Sequence, residues 1–230
     1  MDDPLIQKLT AALPAAPGIM GREEYFQAAV LVPLVRLGEE YGILFQKRAA
    51  AIRQGGEISF PGGRFDAGGD RSFRETAVRE TCEELGLEPD RIRIIGRADT
   101  LLTPMEVLVE PYIGILEIEG PECLRLNRAE VEEVFILPLS ELRRRPPESY
   151  WVRLEAHSHT VDPESGKREI HFPGRELELP ERYHGSWGDR KHRLWAYRTE
   201  KGVIWGITAQ ILRDILNRLP PPPENGGPPE

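Results

Sequence analysis

Three carboxylates crowd a short segment of the chain, at Glu80, Glu83 and Glu84. Their spacing of i, i+3 and i+4 places them on one face of a helix. Like charges on one helical face repel each other, and a hard divalent cation that prefers oxygen ligands offsets that cost. Upstream, Gly62 and Gly63 supply main chain that can approach a ligand closely. The pattern predicts a metal-dependent enzyme that acts on phosphates.

The same cluster has an ordinary interpretation. An isolated E-x-x-E-E segment is usually a solvated helix face with surface ion pairs, and Arg79 and Glu83 stand at i and i+4, where such a pair forms. The glycine-rich stretch one helix length upstream favours the ligand-binding interpretation instead, because a solvated face has no need of it.

The elements that must position these residues follow from periodicity and turn signals. Alternating or continuous apolar runs predict strands, and the acidic segment predicts a helix that Ser72 or Asp70 caps and Gly86 ends. Residues 48–71 hold six glycines and show no periodicity, which predicts a long functional loop. The predicted helices are 3–13, 72–85, 140–145 and 207–219, and the predicted strands are 25–36, 41–47, 91–98, 107–118, 131–139, 150–155 and 193–198. This order predicts an α/β fold with a mixed sheet sandwiched by helices.

Composition narrows the class of protein. The chain has 230 residues, a formal charge of −8 and two cysteines. The acidity argues against a broad nucleic-acid or anionic-membrane surface, and the few cysteines exclude a disulfide framework and fit a reducing cytoplasm. No apolar run reaches the roughly 20 residues of a membrane span. We predict an N-terminal extension over 1–22, one domain over 23–219 and a disordered Pro/Gly-rich tail over 220–230.

The stretch from Gly63 to Leu87 resembles the Nudix box, G-x5-E-x7-R-E-U-x-E-E-x-G-U, in which U is aliphatic. The second half of the box is matched by Arg79, Glu80, Glu83, Glu84, Gly86 and Leu87. The first half departs from the pattern, because fifteen residues separate Gly63 from Arg79 where the box has thirteen. Asp66 or Asp70 could replace the first box glutamate, or no residue does.

A second stretch resembles one subgroup of this family. Residues 48–63, RAAAIRQGGEISFPGG, are similar to the signature that precedes the box in Nudix hydrolases acting on coenzyme A. The resemblance implies a Nudix-type α/β/α sandwich and a Mg²⁺ or Mn²⁺ cofactor. It implies cleavage of the pyrophosphate bond of coenzyme A or acyl-coenzyme A, which gives 3′,5′-ADP and (acyl-)4′-phosphopantetheine.

The resemblance also assigns roles to residues. Glu80 and Glu84 would be the principal metal ligands, with Glu83 and the carbonyl of Gly63 as further ligands. Arg79 and Glu83 would serve catalysis, and the general base stays open between an acidic box residue and Glu106. Because guanidinium groups bind phosphate in a bidentate manner, substrate contacts are expected from the arginines and glycine that flank the loop: Arg48, Arg53, Arg64 and Gly62.

Two other functions remain open at the level of sequence. The chain could be a Nudix hydrolase of another nucleoside diphosphate derivative, such as ADP-ribose or a dinucleoside polyphosphate. It could also be a non-catalytic nucleotide sensor that keeps the fold. In each case the expected partner is a small nucleotide, without nucleic acid or membrane, and the assembly could be a homodimer.

Overall fold

A computed structural model describes residues 3–220, and contacts divide the chain into two compact units. The first unit comprises Met1–Gly56 and Phe60–Pro138, and the second comprises Glu57–Ser59 and Leu139–Glu230. The predicted disordered tail lies outside the described residues apart from Pro220, as do the first two residues of the predicted extension. The assignment of 23–219 to one domain stays a prediction.

Runs of strands separate the helices of residues 3–220. Short 3₁₀ turns lie at Arg22–Glu24, Pro89–Arg91, Pro121–Cys123 and Glu181–Tyr183. The helices are α1 (Pro4–Ala12), α2 (Phe73–Leu85), α3 (Leu139–Arg144) and α4 (Gly206–Arg218). The strands are β1 (Phe26–Leu37), β2 (Glu40–Arg48), β3 (Ile58–Ser59), β4 (Gly62–Arg64), β5 (Ile92–Arg97), β6 (Leu101–Leu102), β7 (Val107–Leu116), β8 (Val131–Pro138), β9 (Glu148–Ala156), β10 (His159–Val161), β11 (Arg168–Ile170), β12 (Trp187–Thr199) and β13 (Gly202–Trp205).

Strand β1 is the centre of the sheet in the first unit. One edge of β1 pairs antiparallel with β4 over Ala28–Val30 and with β2 over Leu34–Leu37. Its other edge pairs parallel with β7, from Phe26 opposite Val107 to Leu34 opposite Ile115. Strand β8 extends the sheet beside β2, and β5 and β6 pair with β7, all antiparallel. The predicted α/β class with a mixed sheet is therefore confirmed.

The long loop predicted over residues 48–71 is interrupted by two short strands that the sequence did not predict, β3 and β4. Glycines carry no strand signal, so β4 is defined by its long-range pairing with β1. Gly62 has a φ of 149°, and a Cβ built there would stand 2.3 Å from the carbonyl oxygen of Ala29. The strand therefore approaches β1 through a position that only glycine occupies without strain.

Helix α2 begins and ends where the sequence predicts. The Oγ of Ser72 accepts a hydrogen bond from the Glu75 N–H, and Gly86 adopts the left-handed conformation that ends the helix. Its apolar face packs on the sheet, where Leu85 joins a core that also contains Leu31, Val35, Leu44, Ile92 and Leu116. The same helix also contacts the glycine strand β4, where the Gly62 N–H donates to Glu84.

A stack of aromatic rings anchors the segment that leads into β4. The ring of Phe45 on β2 stacks between Phe60 and Phe135, with centroids 5.1 and 5.9 Å away. The Pro61 carbonyl then accepts a hydrogen bond of 2.9 Å from the Leu31 N–H of β1. Burial of Phe60 thus fixes the main chain immediately before Gly62 and Gly63.

The second unit is built around a three-stranded antiparallel sheet in the order β13-β12-β9. Helix α4 packs against β12 and buries Ile211, Leu212 and Ile215. A hairpin of β10 and β11 lies in the insertion between β9 and β12. None of the helices in residues 3–220 combines the length and apolar character that crossing a bilayer requires. The predicted cytoplasmic location stays a prediction.

Candidate active site

Glu84 is the most deeply buried carboxylate of α2, with an exposed fraction of 3%. Its Oε2 accepts a hydrogen bond of 2.9 Å from the Gly62 N–H, and its Oε1 accepts one of 2.8 Å from Gln46 Nε2. Burial raises the pKa of Glu84 to about 7, although both donors and the charge of Arg48 lower it. A carboxylate held in this way is oriented by rigid main chain and is costly to keep ionised without a cation.

Glu80 stands one helical turn before Glu84 and lies against Gly63. A Cβ built on Gly63 would come within 2.3 Å of the Glu80 carboxylate. The carboxylate therefore occupies the space that a side chain at position 63 would need. Burial is the main cause that raises the pKa of Glu80, and the charges of Glu83 and Glu130 raise it further. The sequence-predicted ligands Glu80, Glu84 and Gly63 are therefore brought together.

Arg79 links the acidic face to the loop before α2. Its Nε and Nη2 each donate a hydrogen bond of 2.9 Å to the carboxylate of Asp70. Its Nη1 donates to Glu80 at 2.8 Å and approaches Glu83 at 3.3 Å. Bidentate pairing of this kind fixes the guanidinium plane, so Arg79 positions two of the acidic side chains.

Of the two loop acids that could replace the first box glutamate, Asp66 and Asp70, it is Asp70 that pairs with Arg79. Its carboxylate also accepts hydrogen bonds from Thr76 Oγ1 at 2.9 Å and from the Asp66 N–H at 3.0 Å. The Arg79 guanidinium holds the pKa of Asp70 well below its usual range, and Asp70 in turn raises that of Arg79. Asp66 is exposed and its carboxylate accepts from Gly68 N–H, which makes a local turn.

The donor set fits a divalent cation. Within residues 3–220, no three acidic, histidine or cysteine side chains converge as a ready-made metal cage, since Glu80 turns to Arg79 and Glu84 to Gln46 and Gly62. The types of donor fit such an ion, because the Glu80 and Glu84 carboxylates, whose pKa values are raised, lie beside the main chain of Gly62 and Gly63. Hard cations prefer such oxygen donors, and their charge would relieve the repulsion.

The three arginines predicted to bind substrate lie in different settings. Arg48, at the end of β2, donates from Nε to the Arg53 carbonyl at 3.3 Å and is close enough to Glu84 to lower the pKa of that carboxyl. Arg53 is exposed on the loop that follows β2. Arg64 is exposed at the end of β4, with its guanidinium 5.8 Å from the Phe26 ring centre.

Glu106 is not brought into this cluster by any hydrogen bond or ion pair among the described residues. It occupies the turn between β6 and β7 with a φ of 57°, a conformation uncommon for a residue with a side chain. Its carbonyl accepts a hydrogen bond of 2.8 Å from the Phe26 N–H. The backbone of Glu106 thus joins β1 to the turn, and its role as general base stays a prediction.

Sequence reasoning missed Gln46 and Glu130. Gln46 is fully buried on β2 and has a side-chain oxygen without a hydrogen-bond partner among the described residues. A glutamine inside an otherwise buried strand is the signal that could have marked it, because buried amides need partners. Glu130 precedes β8, and its charge acts on Glu80 from a segment fifty residues later in the chain.

Comparisons with known proteins show which family the chain resembles. The family model of the NUDIX domain matches residues 25–157. An uncharacterised Nudix hydrolase, NudL of Cronobacter sakazakii, is 31% identical over 194 residues, which cover 84% of this chain and 82% of that protein. The mitochondrial coenzyme A diphosphatase NUDT8 of Homo sapiens is 32% identical over 219 residues, which cover 94% of this chain and 76% of that protein. Among solved structures, a C. elegans Ap4A hydrolase binary complex aligns with a TM-score of 0.42 and 22% identity, over 51% of this chain and 83% of its own.

Proposed function

The chain belongs to the Nudix family and is a Nudix hydrolase, and from this premise we propose that it cleaves the pyrophosphate bond of coenzyme A or of an acyl-coenzyme A. One observation carries the hydrolytic part of the proposal. Glu84 is buried, is oriented by the Gly62 N–H and Gln46, and lies one turn from Glu80, whose carboxylate fills the space left by Gly63.

The substrate assignment has separate support. The relative named as a coenzyme A diphosphatase is 32% identical over 94% of this chain. Residues 48–63 also carry the pattern of two arginines before F-P-G-G that is similar to the signature of that subgroup. In the structure, the Arg48 side chain donates a hydrogen bond to the main-chain carbonyl of Arg53, and the charge of Arg48 lowers the pKa of Glu84. Guanidinium groups at these two positions would suit the pyrophosphate and the 3′-phosphate of coenzyme A.

Nudix hydrolases generally use Mg²⁺ or Mn²⁺. In this chain Glu80 and Glu84 would hold the ion, with Glu83 and the Gly63 carbonyl as further ligands. Once bound, such an ion neutralises charge on the phosphoryl oxygens and lowers the pKa of a coordinated water.

The protein's own contribution is orientation. The Gly62 N–H and Gln46 fix the Glu84 carboxylate, while Asp70 fixes Arg79, which in turn fixes Glu80 and approaches Glu83. Preorganised groups of this kind lower the barrier because they need little rearrangement during the reaction. Arg48 and Arg53 would bind the phosphates that are not attacked.

The reaction itself adds one water across the bridge. The water oxygen forms a new bond to one phosphorus, the bridging P–O bond breaks, and the electron pair leaves with the other phosphate. We assign the water proton to Glu83, because it lies on the same face as Glu80 and its side chain is 56% exposed. Glu106 is the alternative base, and comparing Glu83→Gln with Glu106→Gln separates them, since loss of the base removes one limb of the pH–rate profile.

A substrate panel tests the proposal. Coenzyme A, an acyl-coenzyme A, dephospho-coenzyme A, ADP-ribose and a dinucleoside polyphosphate are incubated with the full chain and Mg²⁺ or Mn²⁺, and products are identified by mass spectrometry. The proposal predicts 3′,5′-ADP and (acyl-)4′-phosphopantetheine, with slower cleavage of dephospho-coenzyme A because the 3′-phosphate contacts are lost. Faster cleavage of another nucleotide would overturn the substrate assignment. Tight binding without any product would favour a sensor.

A further inference from the structure

Strand β9 forms an open edge in the second unit. Among residues 3–220 it pairs with β12 on one side, and its other side carries no strand. The strand is nine residues long, and large side chains along it are exposed, at 46% for Tyr150 and 54% for Trp151. Exposed edges of this length present free N–H and C=O groups that can pair with another strand. A strand from another chain that pairs with β9 would satisfy these N–H and C=O groups.

We propose that the strand comes from a second copy of this chain, so that two β9 edges pair antiparallel around a two-fold axis at Val152. A three-stranded sheet in each copy would then become one continuous six-stranded sheet. This interface lies within the second unit and does not depend on the proposed enzymatic function.

The geometry of antiparallel pairing limits the registers available. Residues directly opposite each other must point to the same face of the sheet, and successive residues point to opposite faces. When a strand pairs with its own copy, one residue must therefore lie directly opposite the same residue of the other copy, and the two-fold axis passes midway between these two residues. Near the middle of β9 this leaves Trp151, Val152 or Arg153 as the residue opposite itself.

Charge and shape select Val152 from these three. An axis at Arg153 would place two guanidinium groups opposite each other, which is destabilising. An axis at Trp151 would set Ser149 opposite Arg153 and leave the guanidinium without an aromatic or acidic partner across the interface. An axis at Val152 sets Tyr150 opposite Leu154 and Trp151 opposite Arg153, each of them twice.

The pairing of Trp151 with an arginine already occurs within the sheet. On β12, Arg193 lies directly opposite Trp151, and its guanidinium stands 4.5 Å from the Trp151 ring centre. The same guanidinium is 5.2 Å from Trp195, and Arg213 of α4 is 4.2 Å from Trp195 on that face. Arg153, whose Nε pairs with Asp189 on β12 of its own copy at 2.5 Å, would extend this alternating row of rings and cations by one step in the second copy.

Paired substitutions on the two edge strands test the interface. Val152 and Val203 are exposed at 37% and 42% on the same face of the sheet, but on the opposite edges β9 and β13. Sedimentation of the full chain should show a dimer at concentrations of about 10–100 µM. Val152→Lys places two ammonium groups opposite each other and should weaken dimerisation by at least about ten-fold, whereas Val203→Lys should leave it unchanged. Circular dichroism should show both variants folded.

Cysteine cross-linking tests the register. With Cys123 replaced by alanine, Val152→Cys should oxidise to a covalent dimer, because residues directly opposite in an antiparallel pair lie within disulfide reach. Trp151→Cys should not, because its opposite residue is Arg153. A monomeric wild-type chain, equal loss of dimer in Val203→Lys, or preferential cross-linking at position 151 would each overturn the proposal.

Discussion

Asp70→Asn tests how the acidic face is held in place. The Asp70 carboxylate has a side-chain exposure of 3% and receives two hydrogen bonds from Arg79, one from Thr76 and one from Asp66. Asparagine keeps the shape, but it removes the charge and turns an N–H₂ group toward the donors. We expect a loss of free energy of unfolding because the guanidinium loses its bidentate acceptor.

The expected magnitude follows from the burial of the two partners. Breaking a fully buried ion pair costs about 3–5 kcal/mol. Arg79 is 35% exposed and keeps Glu80 and Glu83 as acceptors, so water and these carboxylates recover part of the loss. We therefore expect Asp70→Asn to lower the free energy of unfolding by about 2–3 kcal/mol at pH 7.

The effect should depend on pH in a defined direction. Arg79 lowers the pKa of Asp70 in the folded chain, so the folded state binds fewer protons there than the unfolded state. The stabilisation is present above the ordinary pKa of aspartate and is lost as the pH falls toward the folded pKa. The difference between wild type and Asp70→Asn should therefore narrow below about pH 4.

Urea unfolding followed by circular dichroism measures this difference. Tryptophan fluorescence is unsuitable, because Trp151, Trp187, Trp195 and Trp205 all lie in the second unit. Asp66→Asn is the matched control: its exposed carboxylate accepts one hydrogen bond from Gly68, and we expect a change within about 0.5 kcal/mol. A larger effect of Asp66→Asn, or a loss in Asp70→Asn that is equal at pH 7 and pH 3, would refute the reasoning.

Three further perturbations probe the same face. Gly63→Ala places a Cβ within 2.3 Å of the Glu80 carboxylate and should reduce turnover at least about ten-fold. Gly68→Ala is the control, because its Cβ would stand 3.4 Å from the Asp66 carboxylate, and it should leave turnover unchanged. Steady-state kinetics of the two variants measures the difference. Glu84→Gln should abolish turnover yet raise the metal-free stability by about 1–3 kcal/mol above pH 7. The sign follows because a carboxyl whose pKa is raised to about 7 stabilises the fold below its ordinary pKa and loses that contribution as the pH rises through 7; equal stability in urea titrations at pH 8 would contradict it. Gln46→Leu leaves Glu84 with the Gly62 N–H as its remaining donor and should lower kcat by about ten-fold with less effect on KM; a change confined to KM would show that Gln46 contacts substrate instead.

Much of the first unit could be predicted because its signals are local. Ser72, the apolar stripe ending at Leu85, and Gly86 together define α2 within a few residues, and the capping contacts confirm that they act as predicted. The acidic face follows from helical spacing alone. Its burial does not, because Glu84 becomes buried through contacts with β2 and β4, which lie more than twenty residues earlier in the chain.

The rest depended on long-range pairing. Strand β4 consists of two glycines and an arginine, and only its register with Ala28–Val30 makes it a strand. The sequence left three possibilities for the first box glutamate: Asp66, Asp70 or no replacement. The two acids have different surroundings in the structure, because Asp70 is buried beside Thr76 on α2, where Arg79 reaches it, whereas Asp66 accepts a hydrogen bond within its own turn.

Binding of Mn²⁺ is the most direct measurement of whether the acidic face is a cation site. Electron paramagnetic resonance titration of the metal-free chain should show saturable binding that Glu80→Gln and Glu84→Gln each weaken strongly. Glu88→Gln, an exposed change beyond the end of α2, should leave binding unchanged. Equal affinity in all three variants would show that the cation binds elsewhere, and the account of α2 as the catalytic helix would fail.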